Sequence, residues 1–293
     1  HRLAINGVDD ELSNQPFYID GIYLICNGEI YNHKNILNTL NITPRSKSDC
    51  ESIIHLYKKY GIEQTLQLLD GVFAFVMIDT NTRQVFVARD TYGVRPLFVN
   101  IYKKTKSIDI DGAHYCTSYA FASEVKQLIN INKKNTCDEK IGQFEAGHLS
   151  MFKYGETLKT HSRTRYTEIE HIEDIAFSAP NAFSVLNCEL HDNILHNIYN
   201  KLYQAVSKRV DNTERPIACL LSGGLDSSLI AALVKNIHNG ELHTWSIGFE
   251  GSDDLKYAQM VADHIGSIHH SIIVTEDEFL FAIPDVINAI ESY

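Results

Sequence analysis

"CLLSGGLDSSLIAAL", residues 219–233, joins a short apolar run to a glycine pair and then to a second apolar run with helical spacing. PIACLL (216–221) predicts a buried strand, and SSLIAALVKNIH (227–238) predicts a helix. Gly223 and Gly224 permit a tight turn with exposed backbone N–H groups, and the helix directs its positive end to the same point. A strand, turn and helix in this order are typical of an anion site.

The sequence around this stretch predicts a parallel α/β sheet. Upstream, HDNILHNIYNKLYQAVSKRV (191–210) predicts an amphipathic helix. Ser252 and Gly266 are typical of the beginning and end of a further helix. Strands and helices that alternate with short connections predict parallel strands. The downstream elements are the strand LHTWSIGF (242–249), the helix SDDLKYAQMVADHIG (252–266) and the strand HHSIIV (269–274).

The first half of the chain has a different pattern, with short β-type runs between turn signals such as Asn27-Gly28 and Asp70-Gly71. The runs are IYLIC (22–26), VFAFVMID (72–79), QVFVARD (84–90), PLFVNIY (96–102) and HYCTSY (114–119). This composition predicts an α+β domain in which two sheets pack together with helices outside.

Two segments of this half predict helices. SDCESIIHLYKKYG (48–61) has Ser48 and Glu51 at capping-box spacing and ends at a glycine. ASEVKQLIN (122–130) is a shorter candidate. The periodicity then fades between residues 161 and 188. We therefore predict three parts: a domain over 1–160, a connector over 161–190 and a second domain over 191–293.

Composition restricts the functional classes. The 293 residues carry 26 Lys and Arg against 37 Asp and Glu, a net charge of −11, which argues against a nucleic-acid partner. No apolar run approaches the roughly 20 residues that span a bilayer, so we expect no membrane partner. The six cysteines are scattered without a CxxC pair, which favours reduced thiols and a cytoplasmic location.

The glycine-rich loop has side chains suited to a nucleotide with its metal ion. Ser222, Ser227 and Ser228 offer hydroxyl donors. Asp226 is a poor ligand for phosphate but a good one for the Mg²⁺ that accompanies phosphates. No lysine follows the glycines, so the loop is not the G-x-x-x-x-G-K-[ST] motif. A plain αβ turn with a capping aspartate is the structural alternative.

LSGGLDSS (221–228) resembles the pyrophosphate loop of the ATP-pyrophosphatases, and in particular that of the glutamine-hydrolysing asparagine synthetase family. Further motifs resemble the same family in its order and spacing, from the first residue to the last. They are HRLAI, NGEIYNH, SDCESIIHLY, LDGVFAFV, RDTYGVRPLF, SEVKQL, SIGFEGSDDL and VADHIGSIHH.

The resemblance implies a glutamine-hydrolysing first domain with an Ntn-hydrolase-like αββα sandwich. Its nucleophile would be a cysteine in a segment before His1. Asn27 and Gly28 resemble the oxyanion-hole pair, whose donors stabilise a tetrahedral anion, although composition alone favours a hairpin turn. Cys26 beside them is interpreted as an inert packing residue.

The resemblance also implies the remaining glutamine contacts. Arg2 would pair with the glutamine carboxylate, for which its fork of donors is suited. Glu29 and Asp49 would hold the α-ammonium group; a helix start is the structural alternative for Asp49. The residues that would line the pocket through their backbone are Leu3, Ala4, Ile5 and Asn6.

In the second domain, an ATP-pyrophosphatase α/β sheet continuing beyond Tyr293, the resemblance implies ATP and Mg²⁺ as cofactors. Leu220 and Ile247 would contact adenosine through strand backbone. Asp226 would bind Mg²⁺ through pyrophosphate. The residues expected around the phosphates are Ser222, Gly223, Gly224 and Ser227. His114 with Cys116, and His269 with His270, have no completing ligands at zinc spacing, and we interpret them as structural.

The implied reaction is ATP-dependent asparagine synthesis from aspartate, with ammonia from glutamine. The 293 residues alone are expected to be inactive in it, and a homodimer is compatible with the family. Three alternatives stay open: a synthetase of the β-lactam type acting on another carboxylate, an enzyme that modifies transfer RNA, and a non-catalytic binding module. The acidic charge counts against the second, and the intact glycine pair and Asp226 count against the third.

Overall fold

The computed structural model describes residues 4–109, 112–129, 136–153, 160–166 and 188–290. The chain divides into two compact units, His1–His171 and Ile172–Tyr293. Most of the expected connector lies outside the described residues, so the three-part division stays a prediction.

The first unit contains two antiparallel sheets. Its described strands are β1 (Phe17–Ile19), β2 (Ile22–Ile30), β3 (Gly71–Asp79), β4 (Gln84–Arg89), β5 (Phe98–Asp109), β6 (Gly112–Ala122), β7 (Thr136–Gln143), β8 (His148–Lys153) and β9 (Thr160–Arg165). One sheet has the order β1-β2-β3-β4-β8-β9, and the other has the order β6-β5-β7. The chain therefore leaves the first sheet after β4, forms the second sheet with β5, β6 and β7, and returns to the first sheet with β8 and β9.

The first unit is layered as helices, sheet and sheet. Helices α1 (His33–Leu40), α2 (Glu51–Tyr60) and α3 (Ile62–Leu68) share a buried apolar cluster with one face of the six-stranded sheet. The opposite face packs against the second sheet, where the rings of Tyr119 and Phe152 lie 4.7 Å apart. Burial on both faces explains why β3 and β4 are apolar almost throughout. The predicted α+β class is confirmed.

Helix α2 forms because its apolar residues share one face, with Ile53 and Ile54 fully buried. It ends at Gly61, whose φ of 79° suits the helix terminus, as predicted. The predicted capping box is wrong. The N-cap position is Cys50, and the Glu51 carboxylate accepts hydrogen bonds from the loop before the helix.

The loop in question is fixed by a buried carboxylate. Glu51, 1% exposed, accepts from the backbone N–H groups of Arg45 (2.8 Å) and Ser46 (2.7 Å) and from the Ser46 hydroxyl. His55 Nε2 lies 3.0 Å from the same carboxylate. Burial alone would raise the pKa of Glu51, but the hydrogen bonds from His55, Ser46 and Arg45 outweigh it and lower the pKa to about 2. Glu51 therefore stays ionised and holds the loop that leads into Asp49.

The predicted turn at Asn27-Gly28 is also wrong. Both residues continue β2, opposite Ala74 and Phe73 of β3. A Cβ on Gly28 would lie 2.5 Å from the carbonyl oxygen of Val72 and 2.8 Å from Cα of Phe73. Glycine is required here by the close approach of the two strands, and not by a turn.

The second unit is a parallel sheet flanked by helices. Its described elements are α4 (Cys188–Val210), β10 (Ala218–Leu220), α5 (Leu225–Ile237), β11 (His243–Gly248), α6 (Asp253–Ile265), β12 (Ile268–Ile273) and α7 (Glu276–Ile290). The strand order is β10-β11-β12, and both pairs are parallel. The predicted α/β class is confirmed.

At the beginning of helix α6, the predicted capping residue has the expected position but does not make the expected side-chain hydrogen bond. Ser252 occupies the predicted N-cap position with extended backbone, but its side chain makes no capping hydrogen bond. Its Oγ is buried and has no hydrogen-bond partner among the residues that the structure describes, and it lies 2.8 Å from where a Cβ on Gly248 would be. Gly266 ends the helix in the left-handed conformation, with φ of 67°, as expected.

Candidate active sites

A cleft of about 730 Å³ in the first unit gathers five of the predicted glutamine residues: Ile5, Asn6, Asn27, Gly28 and Asp49. Sequence reasoning missed the other residues that line it. They are Gln15, Cys26, Ser48, Cys50, Arg95, Pro96, Ser123, Glu124 and Gln127. Arg95 and Ser123 lie in the motifs RDTYGVRPLF and SEVKQL, which were noticed as motifs but given no role.

The remaining predicted residues lie elsewhere. Arg2 and Leu3 fall outside the described residues. Ala4 is described but is not part of the cleft lining. Glu29 is in β2 and does not line the cleft, but it forms an ion pair with Arg95, which does.

The backbone of Cys26 in β2 is held by a side chain. Gln15 donates from Nε2 to the Cys26 carbonyl oxygen (2.9 Å) and accepts from the Cys26 N–H at Oε1 (2.7 Å). The Gln15 side-chain amide thus makes the two hydrogen bonds that a neighbouring strand would make with β2, one residue before Asn27. The Cys26 side chain is 9% exposed and belongs to the buried cluster beneath the sheet.

Two cysteines border the cleft, and the Cys50 thiol is held protonated. The neighbouring Cys26 thiol, burial and the nearby Asp49 charge raise the pKa of Cys50 well above its usual value. A thiol with a raised pKa is a poor nucleophile at neutral pH. Cys50 is therefore a packing residue.

Asp49 joins helix α2 to strand β2. Its carboxylate is 4% exposed and accepts from the Ile30 N–H at 2.6 Å. Its carbonyl oxygen accepts from the N–H and the hydroxyl of Ser52 in the first turn of α2. The predicted alternative, a structural role at a helix start, describes part of what Asp49 does. An ionised carboxylate has about four acceptor positions, so these contacts leave capacity for a ligand.

Glu29 and Arg95 form a partly buried ion pair, with 2.6 Å between Arg95 NH2 and Glu29 Oε1. Arg95 lies on a loop that is pinned from inside by Asp90. The Asp90 carboxylate, 2% exposed, accepts backbone hydrogen bonds from Arg95 at 3.0 Å and from three further residues. Those residues are Phe73, Tyr92 and Val94.

The neighbouring Arg89 secures the same loop. Its guanidinium donates to the carbonyl oxygens of Arg95 (2.7 Å), Gly93 (2.7 Å) and Phe144 (2.6 Å). Gly93 has a φ of 65°, and a Cβ there would meet Arg89 Cζ at 2.9 Å. Two buried charges thus fix the position of Arg95, and through it the position of the Glu29 carboxylate.

The second candidate site is the glycine-rich loop between β10 and α5. Gly223 has a φ of 81°, and a Cβ there would meet Tyr257 Cβ at 2.5 Å and the Ala258 backbone nitrogen at 2.6 Å. Only glycine permits both this backbone conformation and the close packing against α6. Gly224 is the N-cap residue of α5 and has no side-chain cap, so backbone N–H groups of the first turn are left for a ligand.

The hydroxyls of this loop bond to one another. Ser222 Oγ lies 3.0 Å from Ser227 Oγ and accepts from the Gly224 N–H at 3.3 Å. The Ser228 hydroxyl, one turn into α5, is buried without a partner within the described part of the chain. Asp226 is exposed in the first turn of α5. The loop therefore presents a carboxylate beside a helix N-terminus.

Leu220 and Ile247, the predicted adenosine contacts, lie on one face of the sheet. Leu220 is paired with Trp245 in the ladder, and Trp245 and Ile247 are two residues apart on β11. Leu220 is 84% exposed and Ile247 is 63% exposed. Both side chains lie on the open face at the carboxyl end of the strands, which is where parallel α/β sheets bind ligands.

The histidine pair of the second unit makes hydrogen-bond contacts within the parallel sheet. His269 lies within hydrogen-bonding distance of Thr244 and Ser246, and His270 lies 2.9 Å from His243. The side chains of His114 and Cys116 are outside the description. Across the described ranges no cluster of three metal-binding side chains occurs. Likewise, no helix described there has both the length and the apolar character to cross a membrane.

Comparison with known proteins identifies the class. A family model described as glutamine amidotransferase domain matches residues 1–174. A second, described as asparagine synthase, matches residues 197–292. Since the first match covers more than half of the chain, the chain belongs to the glutamine amidotransferase domain family, and residues 197–292 of its second unit are similar to asparagine synthase.

Individual relatives agree with this class. The chain is 39% identical to the human glutamine-hydrolysing asparagine synthetase over 100% of its own length and 51% of that protein. It is 40% identical to the protein of the same name from Pongo abelii and 37% identical to that from Gallus gallus, with the same coverage. The chain spans about half the length of the curated relatives it matches. The resemblance inferred from the motifs is confirmed.

Proposed function

We propose that the protein catalyses ATP-dependent synthesis of asparagine from aspartate, with nitrogen supplied by glutamine hydrolysis. The observation that carries the proposal is the presence, in one chain, of two sites. One is a cleft that gathers Asn27, Gly28 and Asp49, and the other is a helix N-terminus with Gly223 and Asp226. The first is suited to an amide substrate and the second to a nucleotide.

In the cleft, the Asn27 side-chain amide and the Gly28 N–H are the proposed oxyanion donors. Asp49 and Glu29 would hold the α-ammonium group of glutamine, and Arg2 its carboxylate. The backbone of residues 3–6 would complete the pocket. The nucleophile would be the cysteine that the family resemblance implies before His1. Its thiolate forms an acyl intermediate with glutamine and releases ammonia, and water then releases glutamate.

In the second unit, the loop would bind the phosphates of ATP. Ser222, Ser227 and the N–H groups of Gly223 and Gly224 are the proposed phosphate contacts. Backbone groups of two strand residues, Leu220 and Ile247, would contact adenosine. A loop without the P-loop lysine suits a reaction at the α-phosphorus, which leaves pyrophosphate intact.

Asp226 would hold Mg²⁺ together with pyrophosphate. Its carboxylate is exposed in the first turn of α5, and carboxylate oxygen is a ligand that Mg²⁺ prefers. Asp226 and the phosphate oxygens of ATP would together hold the ion. When bound, Mg²⁺ neutralises charge on the departing pyrophosphate.

The proposed synthesis has two steps. An oxygen of the aspartate side-chain carboxylate attacks the α-phosphorus of ATP, giving β-aspartyl-AMP and pyrophosphate. Ammonia then attacks the activated carbonyl carbon. AMP leaves with the aspartate oxygen that became bonded to phosphorus in the first step, and a proton is released as asparagine forms. The expected cytoplasmic location, the domain division at 160 and 190 and the absence of nucleic-acid partners belong to the same proposal.

The test uses the complete natural protein with aspartate, ATP, Mg²⁺ and either glutamine or ammonium. We expect asparagine, AMP and pyrophosphate with both nitrogen donors. If asparagine formed with ammonium but not with glutamine, the proposal that the cleft hydrolyses glutamine would be refuted. Absence of both asparagine and AMP would refute aspartate as the substrate and favour the alternative, a synthetase of the β-lactam type that adenylates another carboxylate.

A further inference from the structure

A hydrogen bond joins the two sheets of the first unit at the cleft. Asn27 in β2 donates from Nδ2 to Ser123 Oγ at 3.2 Å. Ser123 directly follows β6, a strand of the other sheet, and is separated from Asn27 by 96 positions. Both residues line the same cleft. The contact is therefore made by the packing of the two sheets.

The chemistry of a carboxamide makes this contact consequential. Its NH₂ group has two N–H bonds, so one can bond to Ser123 while the other is available to a ligand. The terminal torsion of asparagine is broad and nearly two-fold. Without a partner, the group would turn more freely about this torsion, and its N–H would spend part of its time away from the developing oxyanion.

The support beneath Ser123 is rigid. A short 3₁₀ helix, Val125–Gln127, follows it, and the next residue, Leu128, is 1% exposed. The buried Asn100 donates from Nδ2 to the Leu128 carbonyl oxygen at 3.2 Å. Ser123 is thus held between strand β6 and an anchored turn, so its hydroxyl can fix the orientation of a neighbour.

We infer that Ser123 is a positioning residue for glutamine hydrolysis: its hydroxyl holds the Asn27 amide so that an N–H faces the developing oxyanion. The inference rests on the proposed function of the cleft. It also gives a role to the SEVKQL motif, which the proposed function leaves without one. Ser123 acts through Asn27 and needs no contact with glutamine.

The first test measures glutamine hydrolysis by the complete natural protein and its Ser123→Ala variant. Because the oxyanion is absent from bound glutamine and develops only during the reaction, we expect kcat to fall about tenfold with KM changed less than about twofold. Ser123→Thr, which keeps the hydroxyl, should recover most of the loss. Ser118→Ala is the matched control, the same change within β6, five positions before Ser123 and outside the cleft lining, and should leave kcat unchanged.

A double-mutant cycle separates positioning from a general structural effect. Asn27→Ala should lower kcat by roughly 10²–10³, the usual cost of an oxyanion donor. Adding Ser123→Ala to that variant should cost nothing further, because the residue it positions is gone.

Several outcomes would overturn the inference. A raised KM with unchanged kcat would assign Ser123 to direct glutamine binding. The positioning role would also be refuted if Ser123→Ala left kcat unchanged, or if the double variant lost kcat by the product of the two single losses. Neither result would contradict the proposed function. If the unmodified protein does not hydrolyse glutamine, the proposed function fails as well, so the two failures are distinct.

Discussion

The two candidate sites are built in opposite ways. In the cleft, polar side chains are held by partners far away in sequence: Asn27 by Ser123, Glu29 by Arg95 and Asp49 by the backbone N–H of Ile30. In the loop of the second unit, the side-chain hydrogen bonds lie within five positions, as between Ser222 and Ser227. The cleft therefore depends on the packing of its whole unit, whereas the loop depends on local hydrogen bonds and backbone conformation, with Gly223 packed on α6. Substitutions should affect stability in the first and nucleotide chemistry in the second.

The largest expected effect is that of Gly28→Ala in the cleft. The added Cβ would overlap backbone of β3, at 2.5 Å from the Val72 oxygen. We expect a loss of roughly 3 kcal/mol in unfolding free energy, as for an overpacked site that cannot relax, together with loss of glutamine hydrolysis. Denaturant titration measures the first and a glutaminase assay the second.

The control for this variant is Gly142→Ala in β7, where a Cβ meets nothing within 4 Å. It should be neutral or slightly stabilising. Equal stability of Gly28→Ala and the unmodified protein would contradict the close approach of β2 and β3.

Gly223→Ala tests the loop. Left-handed backbone and overlap with Tyr257 and Ala258 together cost roughly 3 kcal/mol locally, which corresponds to about a 100-fold loss of asparagine synthesis. Glutamine hydrolysis should be retained, since its residues lie in the other unit. Gly251→Ala has a similar φ of 74° but meets nothing within 4 Å, so it isolates the conformational cost of about 1 kcal/mol. Equal losses in the two variants would show that packing on α6 is irrelevant.

The Glu51 carboxylate links stability of the first unit to pH. Its pKa is lowered from 4.5 to about 2 in the folded protein. A lowered pKa stabilises the fold above pH 4.5, and that stabilisation is lost as pH falls toward 2. Glu51→Gln should therefore cost roughly 2 kcal/mol at pH 7 and progressively less below pH 4.5.

Unfolding curves of Glu51→Gln at several pH values measure this difference. Glu63→Gln, the same change at an exposed position of α3, is the matched control and should leave the unfolding free energy at pH 7 unchanged. A constant difference between Glu51→Gln and the unmodified protein from pH 7 to pH 3 would contradict the assignment.

The smallest expected effect concerns Tyr57, whose hydroxyl donates to Asp79 Oδ2 at 2.7 Å. Burial and the Asp79 carboxylate raise the pKa of Tyr57 from 10 to about 12. Tyr57→Phe should cost about 1 kcal/mol at pH 7. Because a raised pKa stabilises the fold below pH 10, this difference should shrink between pH 10 and 12.

The comparison for Tyr57→Phe is Tyr60→Phe, the same change at an exposed position of the same helix. Chemical denaturation at pH 8 and pH 11 would distinguish them. A larger cost for Tyr60→Phe would contradict the assignment of the hydrogen bond.

The difference between the sites explains what sequence alone could predict. The loop was predictable because strand, glycines, hydroxyls and helix follow one another, and β10 and α5 formed where their apolar runs lie. Gln15, Arg95 and Ser123 had no local signal, because their roles arise from sheets and loops that meet only in the folded unit. They could have been found only by asking what each family motif contacts.

The errors in predicted structure have the same origin. Asn27-Gly28 has the composition of a hairpin turn, but pairing with β3 overrides that preference. Glu51 has capping-box spacing, but its carboxylate is used by the loop at Arg45 and Ser46. The short helices α1 and α3 and the strands β7, β8 and β9 were missed, because in short elements tertiary packing outweighs local propensity.

The central claim, that one protein transfers the glutamine amide nitrogen to an adenylated aspartate, is tested most directly by a double label. The complete natural protein is supplied with ATP, Mg²⁺, glutamine carrying ¹⁵N in its amide and aspartate carrying ¹⁸O in its side-chain carboxylate. We predict asparagine with ¹⁵N in its side-chain amide and AMP with one ¹⁸O. Unlabelled asparagine nitrogen, or ¹⁸O in inorganic phosphate with formation of ADP, would contradict the account.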